Sequence, residues 1–140
     1  MRKQELDSWL KEGGDLPEDL TEDEENYLKE NGWTCSRSFS SCGDLLNEFH
    51  YVNGLFHGAH KYFTDGYGQK VMLIKSYKHS KKHGIWENSS PSRKFKVVRE
   101  YYNDKKHGTW KTYAYEGGEL IAHKEYAYGI LLKDYLEEDS

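Results

Sequence analysis

Tyr51-Val-Asn-Gly-Leu-Phe-His57-Gly58, Tyr77-Lys-His-Ser-Lys-Lys-His83-Gly84 and Tyr101-Tyr-Asn-Asp-Lys-Lys-His107-Gly108 are three copies of one pattern. The tyrosines stand 26 and 24 residues apart, and Tyr126 follows after a further 25 in a unit that keeps the turn but loses His-Gly. A ring recurs three residues after the His position, at His60, Trp86, Trp110 and Tyr135. Self-similarity at a fixed period of this length is the mark of a repeat architecture. Each unit reads as a two-strand hairpin. A strand ends at Tyr, a tight turn follows, and the chain re-enters a strand through His-Gly, where glycine permits a bulge or close backbone approach. One hairpin cannot bury its own face, so stability requires neighbours stacked in series, with Tyr and Trp forming ladders across them.

The flanking sequence agrees. Lys70–Tyr77, Arg93–Tyr102 and Glu119–Tyr128 are rich in strand formers and alternate at their ends. Asp65-Gly66, Asn88 to Ser92 and Glu116-Gly117-Gly118 precede them as expected turns. The 12 Tyr and 4 Trp, with a mean hydropathy of −1.00, suit half-buried pleated surfaces better than a Leu-based helical core. The first third has helical spacing. Leu6, Trp9 and Leu10 share a face, and Gly13-Gly14 stops that helix. Thr21 and Glu24 have capping-box spacing for a second helix that ends near Glu30 at Asn31-Gly32. Leu16, Leu20, Tyr27, Leu28 and Trp33 supply a small apolar seam, and Thr34–Gly43 reads as a connector. The expected fold is therefore α+β. A short acidic helical segment and connector span 1–43, and an antiparallel β-meander of about three and a half hairpin repeats spans 44–140. The polar end, 136–140, reads as a cap for an otherwise open sheet edge.

The repeats resemble the MORN family, and most closely the bacterial variant of YwqK-type antitoxins, with units of the form Y-x-N-G-x-x-H-G-x-W-x-x-Y. Tyr101 to Tyr113 and Tyr51 to Tyr62 are the best copies, and the resemblance covers about residues 47–136. The middle copy departs at His79-Ser80 and carries the insertion Asn88–Ser92, and the first copy has His60 in place of Trp. The resemblance implies a twisted meander without an active site. Such proteins serve as scaffolds, lipid binders or neutralising partners of toxins.

Charge is unevenly placed. Residues 1–31 hold 11 Asp/Glu and 4 Lys/Arg, and residues 75–111 hold 11 Lys/Arg and 3 Asp/Glu. Lys81, Lys82, Lys105 and Lys106 lie among Trp86, Trp110, Tyr101, Tyr102, Tyr113 and Tyr62, an aromatic and basic mixture that can meet an acidic protein, nucleic acid or anionic lipid. A solvated, aggregation-resistant edge explains the same lysines. The acidic residues Asp15, Glu18, Asp19, Glu22 and Asp23 are open to three readings: a solvated helical face, a cover over the basic sheet, or a mimic of nucleic acid.

The recurring His57, Gly58, His83, Gly84, His107 and Gly108 admit a metal row or pH-sensitive strip, or a structural role in which each His fixes a turn. A residue repeated once per unit answers a structural demand, so the structural role is expected and no metal or other cofactor is. No nucleophile-elbow, P-loop or His-Glu-x-x-His pattern occurs, so no enzymatic activity is expected. Cys35 and Cys42 are expected as reduced thiols. The first residues lack a signal-peptide pattern, and no apolar run is long enough to span a membrane, so a cytoplasmic protein is expected.

The function expected from these features is stoichiometric inhibition by an antitoxin, immunity protein or phage counter-defence protein. It would occlude the functional surface of a toxin or a defence nuclease or effector. A nucleic-acid-binding module built on 75–111, and a MORN-like membrane or scaffold adaptor, are the alternatives. The exposed edge of a short meander also fits a homodimer.

Overall fold

The structure, a computed structural model, describes residues 1–64, 70–90, 95–114 and 118–135. Helix α1 (Lys3–Glu12) ends where Gly13 takes φ +83° and its N–H donates to the Trp9 carbonyl. Helix α2 (Glu22–Glu30) starts at a complete capping box. Thr21 Oγ1 accepts from the Glu24 N–H at 3.2 Å, and Glu24 Oε1 accepts from the Thr21 N–H at 3.1 Å. Neither helix is long and apolar enough to cross a membrane.

Strands β1 (Trp33–Phe39), β2 (Leu45–Val52), β4 (Gly58–Phe63), β5 (Val71–Lys78), β7 (Gly84–Ser90), β8 (Phe95–Tyr102), β10 (Gly108–Ala114), β11 (Leu120–Ala127) and β12 (Ile130–Asp134) form one antiparallel sheet in chain order. Two-residue strands β3 (Leu55–Phe56), β6 (Lys81–Lys82) and β9 (Lys105–Lys106) fold back on β2, β5 and β8. The meander expected from the tyrosine period is therefore present. Each long strand runs one residue past its tyrosine before the turn.

The turns Asn53-Gly54, His79-Ser80, Asn103-Asp104 and Tyr128-Gly129 all have positive φ at both residues. That is the two-residue geometry whose twist matches the flanking strands.

Two expectations from sequence are corrected. Thr34–Phe39 is not connector but edge strand β1, paired with β2 from Trp33↔Val52 to Phe39↔Leu45. An edge strand is held by backbone pairing, so its polar outer positions carry no apolar signature. The connector shrinks to a turn at Ser40–Gly43, where the Gly43 N–H donates to the Ser40 carbonyl. Asn88–Ser90 is not a turn but the end of β7, paired with Val97, Lys96 and Phe95. The rest of that expected turn, with Arg93 and Lys94, lies outside the described residues. So do the turns at Asp65-Gly66 and Glu116-Gly117 and the expected polar cap at 136–140.

The core sits at the N-terminal end of the sheet. Leu6, Trp9, Leu28, Trp33 and Val52 are buried together, with Leu10, Leu16, Leu20, Tyr27 and Cys35 packed around them. Both helices lie on one face of the first repeat. Glu24, 1 % exposed, is held there by the Arg2 guanidinium through Nε and Nη2, each at 3.0 Å. Arg2, followed by the Thr21 N–H, keeps that carboxyl well below the usual carboxylate range.

Candidate functional site

The strand registers sort the side chains onto two faces. Gly58↔Tyr77, Gly84↔Tyr101 and Gly108↔Tyr126 are cross-strand pairs, so tyrosines of successive repeats share one face. Trp86 pairs with Arg99 and Trp110 with Lys124, on that same face. The result is a continuous ladder. Centroid separations are 5.0 Å for His60–Tyr77, 5.3 Å for Tyr77–Trp86, 5.4 Å for Trp86–Tyr101, 5.3 Å for Tyr101–Trp110 and 5.2 Å for Trp110–Tyr126. Planes cross at 50–63°, the tilted and edge-to-face packing that the ring quadrupoles favour.

Cations lie over the rings. Lys82 Nζ is 4.9 Å from Trp86 and 5.1 Å from Tyr101, and Lys106 Nζ is 4.9 Å from Trp110 and 5.2 Å from Tyr126. Arg99 covers Trp110 at 5.2 Å, and Lys75 lies between Tyr62 and Trp86. Each such contact at an exposed site contributes about 0.5–1 kcal/mol.

Of the residues singled out from sequence, Trp86, Trp110, Tyr101, Tyr62, Lys82 and Lys106 meet on this face. Lys81 and Lys105 do not. They pair with Lys78 and Tyr102 across their hairpins and so project from the opposite face. Tyr102 packs between His83 (5.0 Å) and His107 (5.6 Å) in a second row along the turns. Tyr113, paired with Lys96, lies on the face opposite the ladder. The acidic residues disperse. Asp15 pairs with Lys61 at 3.1 Å, Asp19 pairs with Arg2 at 3.0 Å, and Glu18, Glu22 and Asp23 are exposed. With Glu12–Lys78 at 2.9 Å, the helical segment covers the first repeat on the face opposite the ladder and leaves the ladder open.

The recurring histidines are latches between repeats. Nδ1 of His57, His83 and His107 accepts the backbone N–H of His79, Asn103 and Tyr128, at 3.2, 3.2 and 3.3 Å. Each donor is the first turn residue of the next hairpin. The second turn residue adds a bond of its own. The N–H groups of Ser80, Asp104 and Gly129 donate to the carbonyls of Phe56, Lys82 and Lys106. In return, Ser80 Oγ and Asp104 Oδ1 accept from the N–H groups of Phe56 and Lys82. That explains why the middle turns abandon Asn-Gly: a side-chain acceptor replaces glycine's freedom. The first hairpin, with no histidine before it in that role, docks on the end of α2 instead, where the Gly32 carbonyl accepts from the N–H of its first turn residue, Asn53.

A third recurring bond fixes the ladder. The carbonyls of His50, Ser76 and Glu100 accept from His60 Nε2, Trp86 Nε1 and Trp110 Nε1. His60 therefore substitutes for Trp as a donor. In the last unit Leu132 and Lys133 replace His-Gly, so no acceptor imidazole stands where a further repeat would dock.

Replacing His83 with Leu is expected to strand the Asn103 N–H and cost about 1–3 kcal/mol in urea unfolding. Exchange of the Asn103 amide should accelerate selectively.

Comparison with family models, with curated proteins and with solved structures gives no match.

One cluster escaped the sequence reading. Cys35, Glu48 and His50 bring their ligand atoms within 4.8 Å of one another. Cys35 and His50 are directly opposed across β1 and β2, so strand register, and not spacing in the chain, assembles them. Their hydrogen bonds form a chain. Trp33 Nε1–H donates to His50 Nδ1 at 3.1 Å, His50 Nε2–H donates to Glu48 at 2.9 Å, and Arg37 donates to Glu48 at 2.8 Å. The hydrogen bond from His50, then that from Arg37, holds the Glu48 carboxyl down to about 2. A metal on His50 Nε2 would require a proton on Nδ1, pointing at the Trp33 N–H, so the surroundings oppose metal ligation there. Burial pushes the Cys35 thiol up, away from nucleophilic thiolate. An adjoining cavity of about 360 Å³ is lined by Leu16, Trp33, Arg37, Glu48 and Lys61, and its charged groups include the pairs Arg37–Glu48 and Lys61–Asp15.

Proposed function

We propose that the protein is a non-catalytic, stoichiometric inhibitor that binds another protein through its ladder face and covers that partner's functional surface. The ladder is the observation that carries this reading: a contiguous row of half-buried aromatics flanked by cations and fixed by a ring-to-carbonyl hydrogen bond in each of the first three repeats. Rigid aromatic anchors with charged surroundings are what protein interfaces use for affinity and orientation. Pre-organisation reduces the entropy lost on association.

The assignment of His57, His83 and His107 to backbone latches further favours a surface over an active site, because each ring's Nδ1 is already committed as an acceptor. The resemblance to MORN repeats of the antitoxin type points to a toxin or a defence effector as partner, in the cytoplasm.

The test is affinity capture from host cells and from cells expressing the neighbouring genes, followed by titration. The expected result is one protein partner whose activity falls linearly and reaches its floor near one equivalent. Loss of that activity at far lower ratios, with a covalent change in the partner, would contradict a stoichiometric inhibitor.

A further inference from the structure

We infer that the ladder face from β5 to β10 is a docking surface for an acidic protein segment, and that it excludes stacked nucleic-acid bases. The inference deepens the inhibitor reading and rests on it for the choice of a protein as the anion's bearer.

The two faces of the sheet differ in charge: from β5 to β10 the described charges on the ladder face are of one sign, and the opposite face carries both. From β5 to β10 the described ladder-face charges are Lys75, Lys82, Arg99 and Lys106, and none has a carboxylate partner among the described residues. The carboxylates of the same strands, Glu87 and Glu100, pair in register with Ile74 and Ile85 and so stand on the other face. There Glu87 is matched by Lys96 at 2.6 Å. Asp104 sits in a turn, its carboxylate accepting the Lys82 backbone N–H. On the opposite face Lys61, Lys78 and Lys96 are paired with Asp15, Glu12 and Glu87, whereas Lys75, Lys82, Arg99 and Lys106 over the ladder have no such partner among the described residues; farther along, Lys124 on the ladder face is paired with Asp134 at 3.9 Å. Four uncompensated cations on a row of rings, with strands about 4.8 Å apart, call for a partner carrying carboxylates at short intervals.

The same geometry separates protein from single-stranded nucleic acid. Stacking platforms need rings with an open face. Here each ladder ring leans against its neighbours at 53–63°, and Trp86, Tyr101, Trp110 and Tyr126 each have a lysine ammonium over the ring. What the surface offers is ring edges and ammonium groups, which suit carboxylates and apolar side chains.

The chain carries its own reporters. Trp86 and Trp110 are in the ladder, and Trp9 and Trp33 are in the buried core. The experiment titrates the ¹⁵N-labelled protein with a polyglutamate peptide, and separately with oligothymidylate of equal charge, while following the four indole N–H signals. Saturable binding of polyglutamate that moves Trp86 and Trp110 and leaves Trp9 and Trp33 in place is expected. The pair Lys82→Glu and Lys106→Glu should weaken it about tenfold or more. Lys81→Glu with Lys105→Glu, adjacent in sequence and identical in charge change, should alter it by less than about twofold because those side chains face the other way. Equal losses from both pairs, shifts confined to Trp9 and Trp33, no binding at low salt, or tighter binding of oligothymidylate would each overturn the inference. A captured partner whose contact surface is neutral or basic would sink it while leaving the inhibitor reading intact. Polyglutamate binding in a protein with no recoverable partner would do the reverse.

Discussion

Trp9→Ala is expected to destabilise the protein by about 3–5 kcal/mol, the range for deleting a large buried aromatic. Trp9 is 3 % exposed and joins the helical segment to the repeats. Its ring meets His57 edge-on at 4.9 Å and lies against Gly58, where an added Cβ would come within 2.7 Å of it. Its carbonyl accepts from the Gly13 N–H and from His57 Nε2, and its indole N–H donates to the Gly14 carbonyl, which also accepts from the Ala59 N–H. A domain holds only about 5–15 kcal/mol in total, so the loss should appear as a large fall in the urea midpoint. Gly58→Ala should also destabilise, because it adds the clash with Trp9 to a φ of +82°. Trp9→Ala with Gly58→Ala should cost less than the sum of the two, since removing the ring relieves the clash but not the backbone strain. Strict additivity would show that the indole does not lie on Gly58.

Stability is expected to decline steadily as pH falls from about 7 to about 4. Burial lowers His57, His60 and His83 below the ordinary imidazole value, and His60 falls to about 4. With the folded value depressed, the unfolded chain takes up protons first. The stabilisation is thus complete above the unfolded value near 6.5 and disappears as pH approaches the folded value. For His60, 2 % exposed, this amounts to about 3 kcal/mol. His60→Trp installs the residue found at the equivalent positions 86 and 110 and retains a donor for the His50 carbonyl. It should remove His60's share of the slope without weakening the protein at pH 7. Glu48, held at about 2, acts in a separate window. Its contribution is present above about 4.5 and lost between there and 2. Equilibrium unfolding at a series of pH values separates the two, and a flat profile between pH 7 and 5 would contradict the burial of the histidines.

Much of the fold was legible because local chemistry and tertiary structure agree. The Tyr-to-His-Gly period marked the hairpins, Thr21 and Glu24 marked the start of α2, and Gly13 and Gly32 marked the helix ends. A turn-fixing histidine was also legible, but not that each one holds the turn of the following repeat, which depends on how hairpins stack. β1 went unseen because Thr34, Ser36 and Ser38 are exposed edge positions with no apolar alternation. The candidate site was legible in composition and not in sidedness. Lys81 and Lys82, like Lys105 and Lys106, are neighbours in sequence that the pleat sends to opposite faces. Counting outward from the two-residue turn assigns them, since Lys82 opposes Tyr77 and Lys106 opposes Tyr101. Cys35, Glu48 and His50 converge only through the β1–β2 register, which no spacing rule conveys.

A rigid ladder face depends on successive hairpins being held in one register by their imidazoles. Long-range ¹H–¹⁵N correlation of the histidine rings at pH 7 tests this directly. In the neutral rings of His57, His83 and His107, Nδ1 should be unprotonated and Nε2 should carry the hydrogen, because each Nδ1 accepts a backbone N–H from the next turn. A proton on Nδ1 in the neutral form of any of the three, or averaging between tautomers, would mean that the repeats are not latched and that the ladder is not a fixed surface.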